Sequence, residues 1–203
     1  RIANWDALHA LMSEWSRSRS KREIASLAQT AHVPSFPLLD LDEQLDSDQL
    51  RHRDFFGRYS LDGKSVQVPG APFIVSYPAG TVPQSVEPAP DHARSAADGP
   101  LGGVKVLDFS WVIAGPTATR HLAAMGADVI KVEAPGAGDP GRGSELHTVL
   151  GQAKKGVVLN LKQDGAKEIA RRLASECDVL IENFATGVMD RLGLDPDTLH
   201  RIN

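Results

Sequence analysis

Polar residues barely interrupt the run Val104, Val106, Leu107 and Phe109, the pattern of a strand covered on both faces. Gly115 and Pro116 break it. Thr117 to Met125 then places apolar residues at helical spacing, with Pro116 in a first turn where its missing N–H costs nothing. Gly126 reads as the helix C-cap and Ala127 to Val132 as a second β-rich run. Strand, loop, helix and strand of these lengths predict a parallel pair, and in an open α/β sheet ligands bind where loops leave the carboxyl ends of the strands. The loop Ser110 to Gly115 is therefore the first candidate site. A third strand is expected at 157 to 161, a helix over Asp164 to Ser175 with Ile169, Ala170 and Leu173 inward, and a fourth strand at 178 to 182, ending at Asn183 and Phe184. Short helices are expected over Gly187 to Leu192 and Pro196 to Ile202.

The first half of the chain has a different rhythm. Trp5, Leu8, Leu11, Met12 and Trp15 recur at three and four residues and predict a helix over Asn4 to Arg17, capped by Asn4 or Asp6, its aromatics serving as core. A second helix, Ser20 to Ala31, starts with a capping-box pattern at Ser20 and Glu23 and turns Ile24, Leu27 and Ala28 inward. His32-Val33-Pro34 and Phe36-Pro37 force an extended passage. Leu38 to Leu45 and Asp48 to Arg53 read as short helical pieces. F-F-G-R-Y-S, the turn Asp62-Gly63 and S-V-Q-V-P-G give a hairpin signal. Prolines then accumulate between Tyr77 and Pro100 without hydrophobic period, so the expected organisation is 1–89, a linker at 90–100, and an α/β unit at 101–203.

Charge and cysteine content narrow the function classes. The 22 basic residues divide 10 and 12 about Pro100, and the 26 acidic ones 13 and 13, so neither half carries a nucleic-acid footprint. Cys177 is the single cysteine; it precedes an apolar run and reads as a small buried hydrophobe, and with no disulfide framework the expected compartment is reducing and cytoplasmic. No apolar run approaches 18 residues, so no membrane partner is expected. Gly136, Gly138 and Gly141 spell G-x-G-x-x-G, but a dinucleotide fingerprint must open a helix and Pro140 interrupts this one. The glycine-rich loop still allows close backbone approach to a phosphate, with Arg142 supplying charge. Lys154 and Lys155 are either a solvated edge or phosphate ligands at a cleft rim.

The motifs L-x-G-V-K-V-L-D-F with A-G-P-x-A-T, G-A-D-V-I-K-V-E-x-P-G-x-G-D-P-x-R, K-K-x-V-x-L-x-L-K and D-V-L-I-E-N-F-x-x-G-V-M-D-R-L-G-L occur in order from Leu101 onward. This segment resembles the amino-terminal, Rossmann-like portion of a family III CoA-transferase, the CaiB/BaiF group that includes formyl-CoA and carnitine CoA-transferases and α-methylacyl-CoA racemase. The first 90 residues, through A-x-V-P-S-F-P-L-L-D-L-D-E, D-x-Q-L-R-H-R-D-F-F and V-P-G-A-P-F-I-V-S, resemble the same family's carboxyl-terminal portion. Tail before head fits a slice through a tandem fusion, a circular permutation or an artificial join; the slice is preferred because both ends look cut.

The resemblance implies CoA or acyl-CoA as substrate, a small carboxylic acid as its partner, no metal, and an interlocked homodimer or a pseudo-dimer of fused copies. It implies an aspartate nucleophile that lies beyond Asn203, so no catalytic residue is expected in this chain; Asp108, Asp128 and Asp178 occupy scaffold positions. By motif position, Val112, Ile113 and Ala114 flank the pantetheine and adenine, Asn183 and Phe184 form the cleft wall, and Arg191 meets the phosphates; the bland alternatives are loop packing and a helix-surface charge. Where the family commonly has arginine after V-x-E this chain has Ala134, and Gly151 to Lys155 replaces N-x-N-K-R. That departure weakens CoA binding or shifts it to Arg142, Lys154 and Lys155. The competing readings are an acyl-CoA racemase or epimerase of the same fold, whose acid–base pair would also lie outside this chain, and a non-catalytic assembly half of a fused protein, which the departure at Ala134 supports.

Overall fold

The computed structural model describes residues 4–77, 99–136 and 138–203, which fall into two units divided between Val75 and Ser76. Most of the expected linker at 90–100 lies outside the described residues.

Among its described residues the first unit holds four helices and a hairpin. Helix α1 (Trp5–Ser16) forms where the periodicity places it, but Asn4 makes no side-chain cap bond and no residue of the helix is buried. Its aromatics do not form the expected core: Trp5 is 55% exposed and Trp15 43%. Periodicity fixes which side chains share a face, not whether that face is covered. In α2 (Lys21–Thr30) Ser20 caps Glu23 N–H at 3.2 Å, and Ala25 is the residue that becomes buried, while Leu27 stays exposed. Helix α3 (Leu41–Leu45) starts at a full capping box, Asp40 with Glu43, and Glu43 also draws in Lys21 and Arg22 from α2. After α4 (Asp48–His52), strands β1 (Phe56–Leu61) and β2 (Lys64–Pro69) pair antiparallel with Leu61 opposite Lys64. Asp62 and Gly63 both have positive φ, +49° and +73°, as a tight two-residue hairpin turn requires.

The second unit is the expected α/β layer. Strands β3 (Lys105–Asp108), β4 (Asp128–Glu133), β5 (Lys154–Val158) and β6 (Val179–Ile181) form one parallel sheet in the order β5-β4-β3-β6. Helix α5 (Ala114–Ala124) connects β3 to β4, α6 (Glu145–Leu150) connects β4 to β5, and α7 (Asp164–Ala174) connects β5 to β6. Two short helices, α8 (Val188–Leu192) and α9 (Pro196–Ile202), close the segment. Alternation along the strands splits the core. Val106 and Val129 pack with Ala123 of α5 on one face, while Leu107, Phe109 and Val132 pack with Ala170, Met189 and Leu194 on the other. Phe109, 1% exposed, alone contributes about 1.5–3 kcal/mol.

The third strand runs from Lys154, three residues earlier than the apolar pattern at 157 to 161 indicates. The polar start of β5 is held by pairing with β4, Lys154 opposite Val129 and Lys155 opposite Ile130. The order matters for function: β3 connects onward to β4, whereas its other neighbour β6 arrives from the far edge strand β5. The carboxyl ends of β3 and β6 thus flank the place where strand order reverses, the usual location of a ligand crevice in an open α/β sheet.

Candidate functional site

The loop leaving β3 is built on a buried polar cluster. Asp108 is fully buried and accepts from Ser110 N–H at 2.9 Å, from the Ser110 hydroxyl and from Thr119 Oγ1 at 2.6 Å. Lys131, directly opposite Asp108 in the β3–β4 register, donates to the Ser110 carbonyl and lies 3.7 Å from the Asp108 carboxylate. Lys154 reaches the same carboxylate at 3.1 Å and also donates to the Pro116 carbonyl at 2.9 Å and to Thr119 Oγ1 at 2.7 Å. Burial acts to raise the Asp108 carboxyl, but hydrogen bonds from Ser110 and Thr119 and the charges of Lys131 and Lys154 outweigh it and hold the group below the usual carboxylate range. Burial pushes Lys154 the other way, down from the ordinary lysine range, with Asp108 opposing. The cluster fixes the end of β3 to the first turn of α5. Gly115 completes that junction: a Cβ there would collide with the Ser110 side chain.

Two further clamps hold the loop from either side. The Asn183 amide, just past β6, accepts from Trp111 N–H at 2.8 Å and donates to the Trp111 carbonyl at 2.9 Å. The Trp111 ring meets Phe184 edge-on, centroids 5.2 Å apart at 88°. On the other side, Asp139 of the glycine-rich loop accepts from Val112 N–H with both carboxylate oxygens, at 3.3 Å each, and from Gly141 N–H at 2.7 Å. Val112 has φ +64°, which for a β-branched residue costs on the order of 1–3 kcal/mol and persists only where its surroundings impose it.

The loop faces an apolar cavity of about 420 Å³ at the carboxyl ends of the strands, bordered by Phe109 and Trp111, Val132 and Ala134, Leu159 and Phe184. Lys162 is its cationic border residue. Sequence reading missed the segment Leu159 to Lys162, although the rule that ligands gather at strand carboxyl ends applies to β5 as much as to β3.

The sequence-selected residues are only partly brought together. Trp111 and Phe184 border the cavity, with Asn183 clamped to Trp111, whereas Val112, Ile113 and Ala114 are exposed, lead into the start of α5 and do not line the cavity. Arg142 is occupied by an ion pair with Glu133. Lys154 is an interior residue, its side chain 2% exposed with three acceptors around the ammonium. Lys155 lies on the surface, paired with Asp128 at 2.8 Å. Arg191 is exposed on α8, which starts from Gly187 and ends at Gly193, both left-handed. Cys177 is buried, and burial pushes its thiol up, away from reactivity.

Known proteins carry related sequence. Over 112 residues the chain is 45% identical to the formyl-CoA:oxalate CoA-transferase of Afipia carboxidovorans and 46% identical to that of Rhodopseudomonas palustris, each alignment covering 51% of this chain and 26% of the relative. The matched segment thus spans about a quarter of the length of these curated relatives. Among solved structures, a hypothetical protein of Mycobacterium tuberculosis is similar at 44% identity and a TM-score of 0.48, and a CaiB/BaiF family protein of Brucella suis at 34% and 0.48; each match covers 52% of this chain and 31% of the other. The model of CoA-transferase family III matches residues 1–93 and 101–203, and the chain belongs to that family.

Proposed function

We propose that this chain supplies the CoA-binding part of an enzyme that moves CoA between carboxylic acids. The observation that carries the reading is the apolar cavity at the carboxyl ends of the strands, beside a loop clamped by Asn183 and Asp139, in a chain of a CoA-transferase family. The cavity walls suit the pantetheine and adenine. Lys162 and Arg191 are the cations we assign to the phosphates, with Arg142 joining only if it leaves Glu133. Lys154 acts inside, supporting the loop rather than touching ligand.

In the transfer we propose, an aspartate carboxylate outside this chain attacks the acyl thioester carbonyl, and the CoA thiolate leaves as an aspartyl anhydride forms. The thiolate then attacks the aspartyl carbonyl, releasing the donor carboxylate and leaving an aspartyl-CoA thioester, which the acceptor acid opens in the reverse sequence. This chain's residues bind and orient CoA for those steps. The relatives are named for formyl-CoA and oxalate, which favours small carboxylates as the exchanging acids. We further assign residues 1–89 to a carboxyl-terminal-type portion of the family and 101–203 to an amino-terminal-type portion joined by the 90–100 linker, acting in the cytoplasm as an interlocked dimer or as a pseudo-dimer of fused copies.

One observation favours a second reading. Ala134 offers no charge, while Arg142 and Lys154 are committed to internal partners, and together these fit a half that assembles without binding CoA. Calorimetric titration of the full chain with CoA at fixed salt separates the two. Saturable binding supports the CoA site, and no detectable heat at millimolar CoA supports the assembly role.

A further inference from the structure

We infer that Asp139 is a positioning residue for the proposed CoA site: it imposes the left-handed conformation of Val112 and so sets the course of Val112, Ile113 and Ala114 into α5. The inference rests on the CoA reading for the ligand, but the geometry stands apart from it.

Asp139 is 5% exposed, and its carboxylate is satisfied by backbone N–H groups from two separate segments, Val112 and Gly141. His147 Nδ1 is 3.8 Å from it, too far for a hydrogen bond. The loop lies close around this contact. A Cβ at Gly141 would stand 3.2 Å from an Asp139 oxygen and 3.7 Å from Val112 Cα, so glycine lets the two segments approach. Valine avoids positive φ, because its branched Cβ crowds the backbone there. Remove the acceptor and residue 112 returns to an ordinary negative φ, changing the path by which the exposed Ile113 and Ala114 follow the cavity-lining Trp111 into α5. Asp139 therefore acts on a ligand through Val112 and touches none itself.

A four-chain cycle tests this: the wild type, Asp139→Ala, Val112→Gly and the double variant, each as the full chain, with amide exchange at residue 112 followed by NMR and CoA affinity by calorimetry. Glycine adopts positive φ freely, so in its presence Asp139 has less to impose. With Val112 in place, Asp139→Ala should speed exchange at residue 112 and weaken CoA binding by about tenfold or more. In the Val112→Gly background the same change should cost about threefold or less. Asp139→Asn keeps one acceptor oxygen, should fall between wild type and Asp139→Ala, and carries the test if the alanine chain does not fold. Equal losses in the two backgrounds, or unchanged exchange at residue 112 in Asp139→Ala, overturn the inference. If the wild type binds no CoA while exchange at residue 112 still depends on Asp139, the ligand reading falls and the loop-setting role stands.

Discussion

The side-chain amide of Asn183 spends both its donor and its acceptor on one residue, bridging the N–H and carbonyl of Trp111 at 2.8 and 2.9 Å. It stands in for a neighbouring strand just where β3 and β6 stop pairing. Asn183→Ala should cost about 1 kcal/mol by urea unfolding, the net worth of hydrogen bonds partly open to water. Asn183→Asp keeps the acceptor but sets a carboxylate against the Trp111 carbonyl, and should cost at least as much. A stable Asn183→Asp chain beside a weakened Asn183→Ala chain would contradict the two-bond account.

Asp108 balances two buried lysines. Asp108→Asn leaves the ammonium groups of Lys131 and Lys154 without a countercharge and should destabilise the α/β unit by about 3–5 kcal/mol, read from the shift of the urea midpoint. Lys154→Met, which removes one of the two cations while keeping bulk, should cost less than Asp108→Asn.

The same carboxylate makes stability depend on acid. Its folded pKa lies below the unfolded value of about 3.9, so its contribution is fully present above roughly pH 4 and is lost as pH falls through the lower folded value. Urea midpoints measured between pH 3 and 7 should drop on the acid side, and the drop should be shallower in Asp108→Asn.

If Arg191 meets a CoA phosphate, Arg191→Ala removes a charge-assisted contact of about 1.5–3 kcal/mol, a tenfold to hundredfold loss of affinity. On a solvated helix face the same change shifts neither affinity nor stability by more than about 0.5 kcal/mol. Titration with CoA at fixed salt decides, and unchanged affinity removes Arg191 from the site.

If the nucleophile is an aspartate outside these 203 residues, as proposed, the chain alone should show no transfer of CoA between two carboxylates. Turnover above that of a heat-treated sample would place the nucleophile among the residues present.

Strand and helix identity was legible wherever apolar residues repeated without competition: β3, β4, α5 and α7 lie within a few residues of their pattern. What the pattern cannot carry is pairing at a distance. Lys154 reads in sequence as a solvated edge or a cleft cation, and its partner Asp108 is 46 residues away, brought to it only by the sheet. The α1 stripe shows the same limit, since a helix states its apolar side without stating what covers it. Asp139 lies inside the glycine run that fails as a dinucleotide fingerprint; the local signal for its role is an aspartate two residues before a glycine whose N–H it accepts.

The contact between Gly115 and Ser110 has a thermodynamic consequence. With no side chain at 115, helix α5 is seated directly against Ser110 at the end of β3, and the loop between them is tied down by Asn183 and Asp139 before any ligand arrives. Association there resembles a key entering a finished lock: little chain entropy is surrendered, and the heat-capacity change should track the apolar area covered and carry no added increment from segment ordering.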